Sequence, residues 1–194
     1  MATRERVDVP VSFAFEGPSG HHARMDDNTE THETASVRAA TAPDAEQIKA
    51  LAIGNAMFAP DDMGGFDEGL NGYLNGSMEG HRWVVATAKR GRVQGAAYYA
   101  PEPFGDRVWN LYFLAVDPSG HGQGVGSSLV TYVERTLRAE GSSCARVLIV
   151  ETSSGSAYEG AREFYTRRGF DREAVIREFY GPDEDKVVFW KSLV

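Results

Sequence analysis

Residues Leu111–Gly126 read Leu-Tyr-Phe-Leu-Ala-Val-Asp-Pro-Ser-Gly-His-Gly-Gln-Gly-Val-Gly, and no other stretch constrains the fold as much. The apolar run through Val116 has the length of one buried strand, and Asp117-Pro118 ends it. In the loop from His121 to Gly126 the glycines carry no Cβ, so backbone can come close to something bulky. A helix follows, with Val125, Leu129, Val133 and Leu137 on one stripe. The N-terminus of a helix presents bare N–H groups and binds anions, phosphate most often. A strand, a glycine loop and a helix in this order therefore point to a phosphate-bearing ligand.

Two common phosphate loops fit poorly. The nucleotide-hydrolase loop closes with Gly-Lys-Ser/Thr, and no lysine stands between His121 and Gly126. The dinucleotide fingerprint needs a third glycine where this chain has Ser127, and an acidic residue about twenty positions on, at the end of the next strand. Glu140 lies nearer and precedes that strand, while Glu151 lies beyond the expected position.

The loop resembles the acetyl-CoA pyrophosphate loop of the GNAT superfamily of N-acetyltransferases, whose usual form is Arg/Gln-x-x-Gly-x-Gly/Ala. Here it stands as His121-Gly122-Gln123-Gly124-Val125-Gly126. Gly124 and Gly126 hold the two glycine positions, and His121 replaces the usual Arg or Gln. A second segment, Ala161–Phe170, resembles the helix of the same family that ends in Tyr, three variable residues and Gly-Phe, with Tyr165 and Gly169-Phe170 at those places. The two matches stand in the family's order, and the resemblance runs over residues 36–194. Within the family, Ile149-Val150-Glu151 followed by Tyr165 is similar to the enzymes that acetylate the N-terminal alanine of a ribosomal protein. The tyrosine helix here sits two residues further from the glutamate.

The remaining pattern gives the layout. Ser36–Ala40 reads as a strand, and Thr41-Ala-Pro-Asp44 as a helix start with Pro43 in the first turn. Asp61–Asn75 reads as a second, poorer helix, interrupted by Gly64, Gly65, Gly69 and Gly72, each weakening it by roughly 1 kcal/mol relative to alanine. Strands are expected at 82–88, 93–99, 108–116, 145–151, 170–179 and 186–193, with helices up to Ala139 and over 156–168. The fold class is α/β (α+β): a mixed central sheet of six to seven strands flanked by helices, which is the GNAT fold that the resemblance implies. Residues 34–194 form this domain. Residues 1–33 are an N-terminal extension in which Val7, Val9, Val11, Phe13 and Phe15 alternate as in a half-buried strand, confined by Pro10 to a sheet edge. Gly17–Thr34 reads as a loose connector.

Composition excludes several classes. With 42% hydrophobic and 25% charged residues the chain is ordinarily globular, and no apolar run approaches the roughly 20 residues of a membrane span. A net charge of −8 argues against nucleic acid and is compatible with a cationic amine. One cysteine, Cys144, permits no internal disulfide and fits a cytoplasmic protein. It reads as a packing residue, and no spaced Cys/His cluster supports a metal.

The resemblance implies acetyl transfer from acetyl-CoA to a primary amine of a small molecule or peptide, by direct attack. Backbone groups of Leu114 and Val116 would hold the pantetheine arm. A backbone N–H at the end of Leu114-Ala115-Val116 would stabilise the thioester oxygen. His121, Gly122, Gln123, Gly124, Val125, Gly126 and Ser127 would hold the pyrophosphate. An α-amine of pKa about 8 is roughly a tenth neutral at pH 7, and a lysine amine under a thousandth, so a base matters. Glu151 is the expected base, directly or through water, with Asn110 and Tyr112 as rivals. Tyr165 is the expected acid for the departing thiolate, its pKa near 10 matching that task. Phe58, Phe66, Tyr73, Trp83 and Trp109 read either as an acceptor pocket or as plain core. A homodimer stays open, and a non-catalytic acyl-CoA-binding module is the alternative to an enzyme.

Overall fold

A computed structural model describes residues 13–15, 36–88 and 91–194. The expected connector Gly17–Thr34 and the first part of the expected N-terminal strand lie outside the described residues.

The elements in order are β1 (Phe13–Phe15), β2 (Ser36–Ala39), α1 (Ala45–Gly54), α2 (Gly64–Leu74), β3 (Arg82–Thr87), β4 (Val93–Pro101), β5 (Val108–Val116), α3 (Val125–Ala139), β6 (Val147–Ser153), α4 (Glu159–Arg167), β7 (Asp171–Gly181) and β8 (Glu184–Ser192). Strands β2 to β8 form one mixed sheet in the order β2-β3-β4-β5-β6-β8-β7. The α2 helix forms over Gly64–Leu74 in spite of its glycines, and Lys49 on α1 pairs with Asp67 on α2 at 3.0 Å.

The central strands carry almost continuous buried runs because helices cover both faces of the sheet. On one face Val125, Leu129, Val130, Val133 and Leu137 of α3, with Ala161, Phe164 and Tyr165 of α4, pack on Leu111, Leu114 and Val116. On the other, Ile48, Leu51 and Ala52 of α1 and Leu70 of α2 pack on Trp83, Tyr98, Phe113 and Ala115. Gly95 lets α3 seat closely: a Cβ there would stand 3.0 Å from the Ala115 carbonyl oxygen and 3.0 Å from Val125 Cγ1.

Two irregularities in β5 shape everything that follows. Tyr98 faces Phe113 while Tyr99 faces Leu111, so Tyr112 is the extra residue of a β-bulge. On its other flank β5 pairs with β6 in parallel only over Val108–Asn110. Beyond Asn110 the strands part, and β1 runs parallel to β5 instead, with Phe13 beside Phe113, Ala14 beside Leu114 and Phe15 beside Ala115. The N-terminal strand thus lies in the middle of the sheet rather than at the edge expected from Pro10. Pro10 itself is outside the described residues, and the three residues that pair include no proline.

Candidate active site

The phase of the β4–β5 ladder decides which backbone groups look into the gap between β5 and β6. Asp117 N–H donates to Gln94 O at 2.7 Å, which makes that facing pair a hydrogen-bonded one. Bonded and non-bonded pairs alternate in an antiparallel ladder. With Gly95 opposite Val116 and Ala97 opposite Leu114, the N–H and C=O groups of Leu114 and Val116 therefore point away from β4, into the gap. Those of Ala115 point toward β4.

The strand end and the loop after it are braced. The Val116 carbonyl accepts from Asn55 Nδ2 at 3.1 Å and from His121 Nε2 at 3.2 Å. His121 is thereby half-buried and hooked to the strand rather than reaching outward. Asp117 accepts from Ser119 N–H at 2.9 Å and from Arg92 at 2.6 Å. The hydrogen bonds from Ser119 and the charge of Arg92 hold its carboxyl below the usual range. Gln123 spends its side chain inside the loop, donating to Ser119 O at 2.9 Å. Gly122 and Gly124 have φ of +75° and +81°, a left-handed conformation that glycine adopts without steric penalty. Gly124 is the N-cap of α3 and supplies no side-chain cap, so no capping side chain takes up the Val125, Gly126 and Ser127 N–H groups of the first turn. Ser128 folds its hydroxyl back onto Gly124 O at 3.1 Å, and Ser127 is half-buried.

The expected acid and base stand on the far side of the gap. Tyr165 on α4 is fully buried, its ring 5.2 Å from Phe164, 5.5 Å from Phe170 and 5.6 Å from Phe189. It belongs to the same apolar cluster as Leu114 and Val116. Glu151 on β6 is half-buried and accepts from Lys186 Nζ at 3.0 Å. Lys186 in turn lies 3.6 Å from the centre of the Phe179 ring.

A second carboxylate, absent from the sequence reading, stands at the bulge. Glu102, just after β4, accepts from Tyr112 Oη at 3.0 Å and from Asn110 Nδ2 at 3.4 Å. Among the described residues it has no ion-pair partner. Burial first, and then the negative charge of Glu102 and Glu151, push the Tyr112 phenol above its ordinary range. Glu102 is the carboxylate that touches this tyrosine. In sequence Glu102 is one residue of a turn between two prolines, and only the pairing of β4 with β5 sets it against Tyr112.

Of the five aromatic residues read either as an acceptor pocket or as plain core, Phe58, Phe66, Tyr73 and Trp83 pack in the core on the α1/α2 face, and Trp109 packs in the core on the other face, where its Nε1 donates to Cys144 O at 3.1 Å. Alternation along strands sends neighbours to opposite faces, and these residues come from different elements. One expectation needs correction. Cys144 is exposed rather than packed, because the fold uses its carbonyl and leaves the thiol outside. Among the described residues there is no group of three or more His, Cys, Asp or Glu that could hold a metal, and no helix is long and apolar enough to cross a membrane.

The acetyltransferase (GNAT) family profile matches residues 54–170, more than half of the chain. The chain belongs to this family. It is therefore an acetyltransferase, and its fold recurs in solved structures. A GNAT-family structure from Desulfovibrio desulfuricans is 28% identical with a TM-score of 0.74, the match covering 82% of this chain and 99% of that one. The ribosomal-protein-S18-alanine N-acetyltransferase of Escherichia coli is 16% identical with a TM-score of 0.65, covering 81% and 93%. A phosphinothricin acetyltransferase of Sinorhizobium meliloti, solved with acetyl-CoA, is 20% identical with a TM-score of 0.63, covering 82% and 89%. A search of curated proteins returns no match.

Proposed function

We propose that this acetyltransferase moves an acetyl group from acetyl-CoA to a primary amine of a small molecule or peptide, by direct attack of the amine on the thioester. The observation that carries the reading is the gap itself. β5 leaves β6 after Asn110, turns the Leu114 and Val116 backbone groups sideways, and leads into a helix N-terminus without a side-chain cap. A ligand with an amide-bearing arm and a pyrophosphate at its end matches that row of groups. Leu114 bonds the arm through its N–H and C=O. Val116 bonds it through its N–H, since its carbonyl already accepts from Asn55 and His121. The N–H groups of Gly124 to Gly126 receive the pyrophosphate, since that of Gln123 already donates to Gly120 O at 3.2 Å, with Gly122 shaping the loop and the Ser127 hydroxyl adding a donor. His121 braces the loop from behind.

When the amine attacks, negative charge builds on the thioester oxygen. A backbone N–H near the end of Leu114-Ala115-Val116 stabilises it. The thiolate takes its proton from Tyr165. Glu151 removes the proton from the ammonium, directly or through water.

A second reading of the base has its own observation. Lys186 neutralises Glu151, whereas Glu102 binds only neutral donors on Tyr112 and Asn110. Glu102 is then the base, and Glu151 with Lys186 is structural. In either reading Glu102, held by Tyr112 and with no cation paired to it among the described residues, favours a cationic acceptor.

On this reading the acetyltransferase domain is residues 34–194 together with the strand at 13–15 that pairs into its sheet, and the single cysteine, Cys144, fits a reducing cytoplasm. The test is calorimetric titration with acetyl-CoA, NAD and ATP, followed by a screen of amines for release of free thiol. Binding of acetyl-CoA with turnover on an amine is the expected result. Binding without turnover on any amine identifies a non-catalytic acyl-CoA-binding module. Preference for NAD or ATP overturns the reading.

A further inference from the structure

The gap between β5 and β6 already has an occupant from this chain. β1 pairs in parallel with residues 113–115 of β5 and also meets β6 and α4. Since β4 takes the other flank of β5, β1 lies on the flank that the Leu114 groups face. A strand running along this row gives those N–H and C=O groups the partners that backbone in a half-buried cleft requires. The tripeptide Phe-Ala-Phe is rich in strand-forming aromatic residues.

We propose that residues 13–15 are a built-in competitor of acetyl-CoA, bonding the Leu114 backbone that the pantetheine arm needs. The inference rests on the cofactor reading above. One row of donors and acceptors cannot bond two chains at once, so acetyl-CoA enters only when β1 leaves. Because β1 is tethered, it competes at high effective concentration. Because it spans three residues, it makes few bonds and is displaceable. The apparent Kd of acetyl-CoA equals the intrinsic Kd divided by the open fraction. The worth of about one net hydrogen bond, what remains once the ordering of the segment offsets the rest, corresponds to an open fraction of about a tenth.

The experiment compares the full chain with the variant Phe13→Pro, Ala14→Pro, Phe15→Pro. Proline has no N–H and does not fit a paired strand. Calorimetric titration with acetyl-CoA is expected to give a Kd about tenfold lower for the variant, with KM falling in step and kcat unchanged. Hydrogen exchange on the free proteins is expected to show amides in segment 113–116 exchanging faster in the variant, and acetyl-CoA restoring their protection. A Kd in the variant that is within twofold of the full chain, or higher, overturns the competitor while leaving the cofactor reading intact. Failure of both proteins to bind acetyl-CoA overturns the cofactor reading, and the competitor falls with it.

Discussion

The two flanks of β5 are built differently. Toward β4 the strand is paired from Trp109 to Val116, interrupted only by the bulge at Tyr112. Toward β6 it is paired for three residues and then stands apart. The first flank belongs to an antiparallel meander, β2 to β5, in which every strand neighbours the next in sequence. The second joins that meander to β6 and the β7–β8 hairpin through a short parallel contact. The lesson is one of division of labour. The closed flank holds the strand in place, and the other flank carries only the three-residue β1 beyond Asn110, so that displacing this short strand frees backbone groups for chemistry. A substitution on the closed side should change stability, and one on the open side should change turnover.

Tyr165→Phe carries the largest effect. On the open flank it should lower kcat by ~10²-fold or more while leaving the Kd of acetyl-CoA unchanged. Loss of folding stability with kcat retained would make Tyr165 a core aromatic, as its burial among Phe164, Phe170 and Phe189 allows.

Gly95→Val tests the closed flank. The new side chain would meet the Ala115 carbonyl, Val125 and Leu129. Overpacking of this kind typically lowers stability by about 1–3 kcal/mol, read as a lower midpoint in urea. Unchanged stability would mean that α3 can lift from β4 freely.

Asp44→Asn probes the closed half at its remote end. Asp44 binds Arg38 at 2.7 Å and caps the turn through Thr41 N–H at 2.8 Å, and Arg38 holds its carboxyl down to about 2 from 3.8. A carboxyl depressed on folding stabilises above its unfolded pKa. That contribution is complete above about pH 4 and is lost as pH falls toward 2. The variant should be about 2 kcal/mol less stable at neutral pH and should lose that part of its acid sensitivity, with kcat/KM intact.

Glu102→Gln and Glu151→Gln give the smallest effect and the finest distinction. The variant that removes the base should lose about tenfold or more in kcat/KM together with the low-pH limb of its profile. The other should keep the limb. Loss in Glu102→Gln alone assigns the base to the carboxylate that no lysine neutralises.

Much of this molecule could be read in one dimension, because the signals were local. The strand Val108–Val116, the turn at Asp117-Pro118, the glycine loop and the end of α3 at Ala139 were all expected where they stand. Each depends on periodicity, proline or glycine within a few residues. The two family motifs were equally local, and they sufficed for the fold class. Glu102 could not be found that way, since its partners Asn110 and Tyr112 lie across a hairpin. Nor could the pairing of Glu151 with Lys186, which register between β6 and β8 creates. The split of the aromatic residues between two faces and the exposure of the Cys144 thiol likewise depend on how strands are stacked. So does the seat of β1: alternation identifies Phe13–Phe15 as a strand but names no neighbour. Sequence determined which segments become strands, loops and helices, because those choices follow from backbone and side-chain preferences near in the chain. Tertiary structure alone decided which carboxylate faces Tyr112 and what fills the gap beside β5, because both depend on register and pairing between segments far apart in sequence.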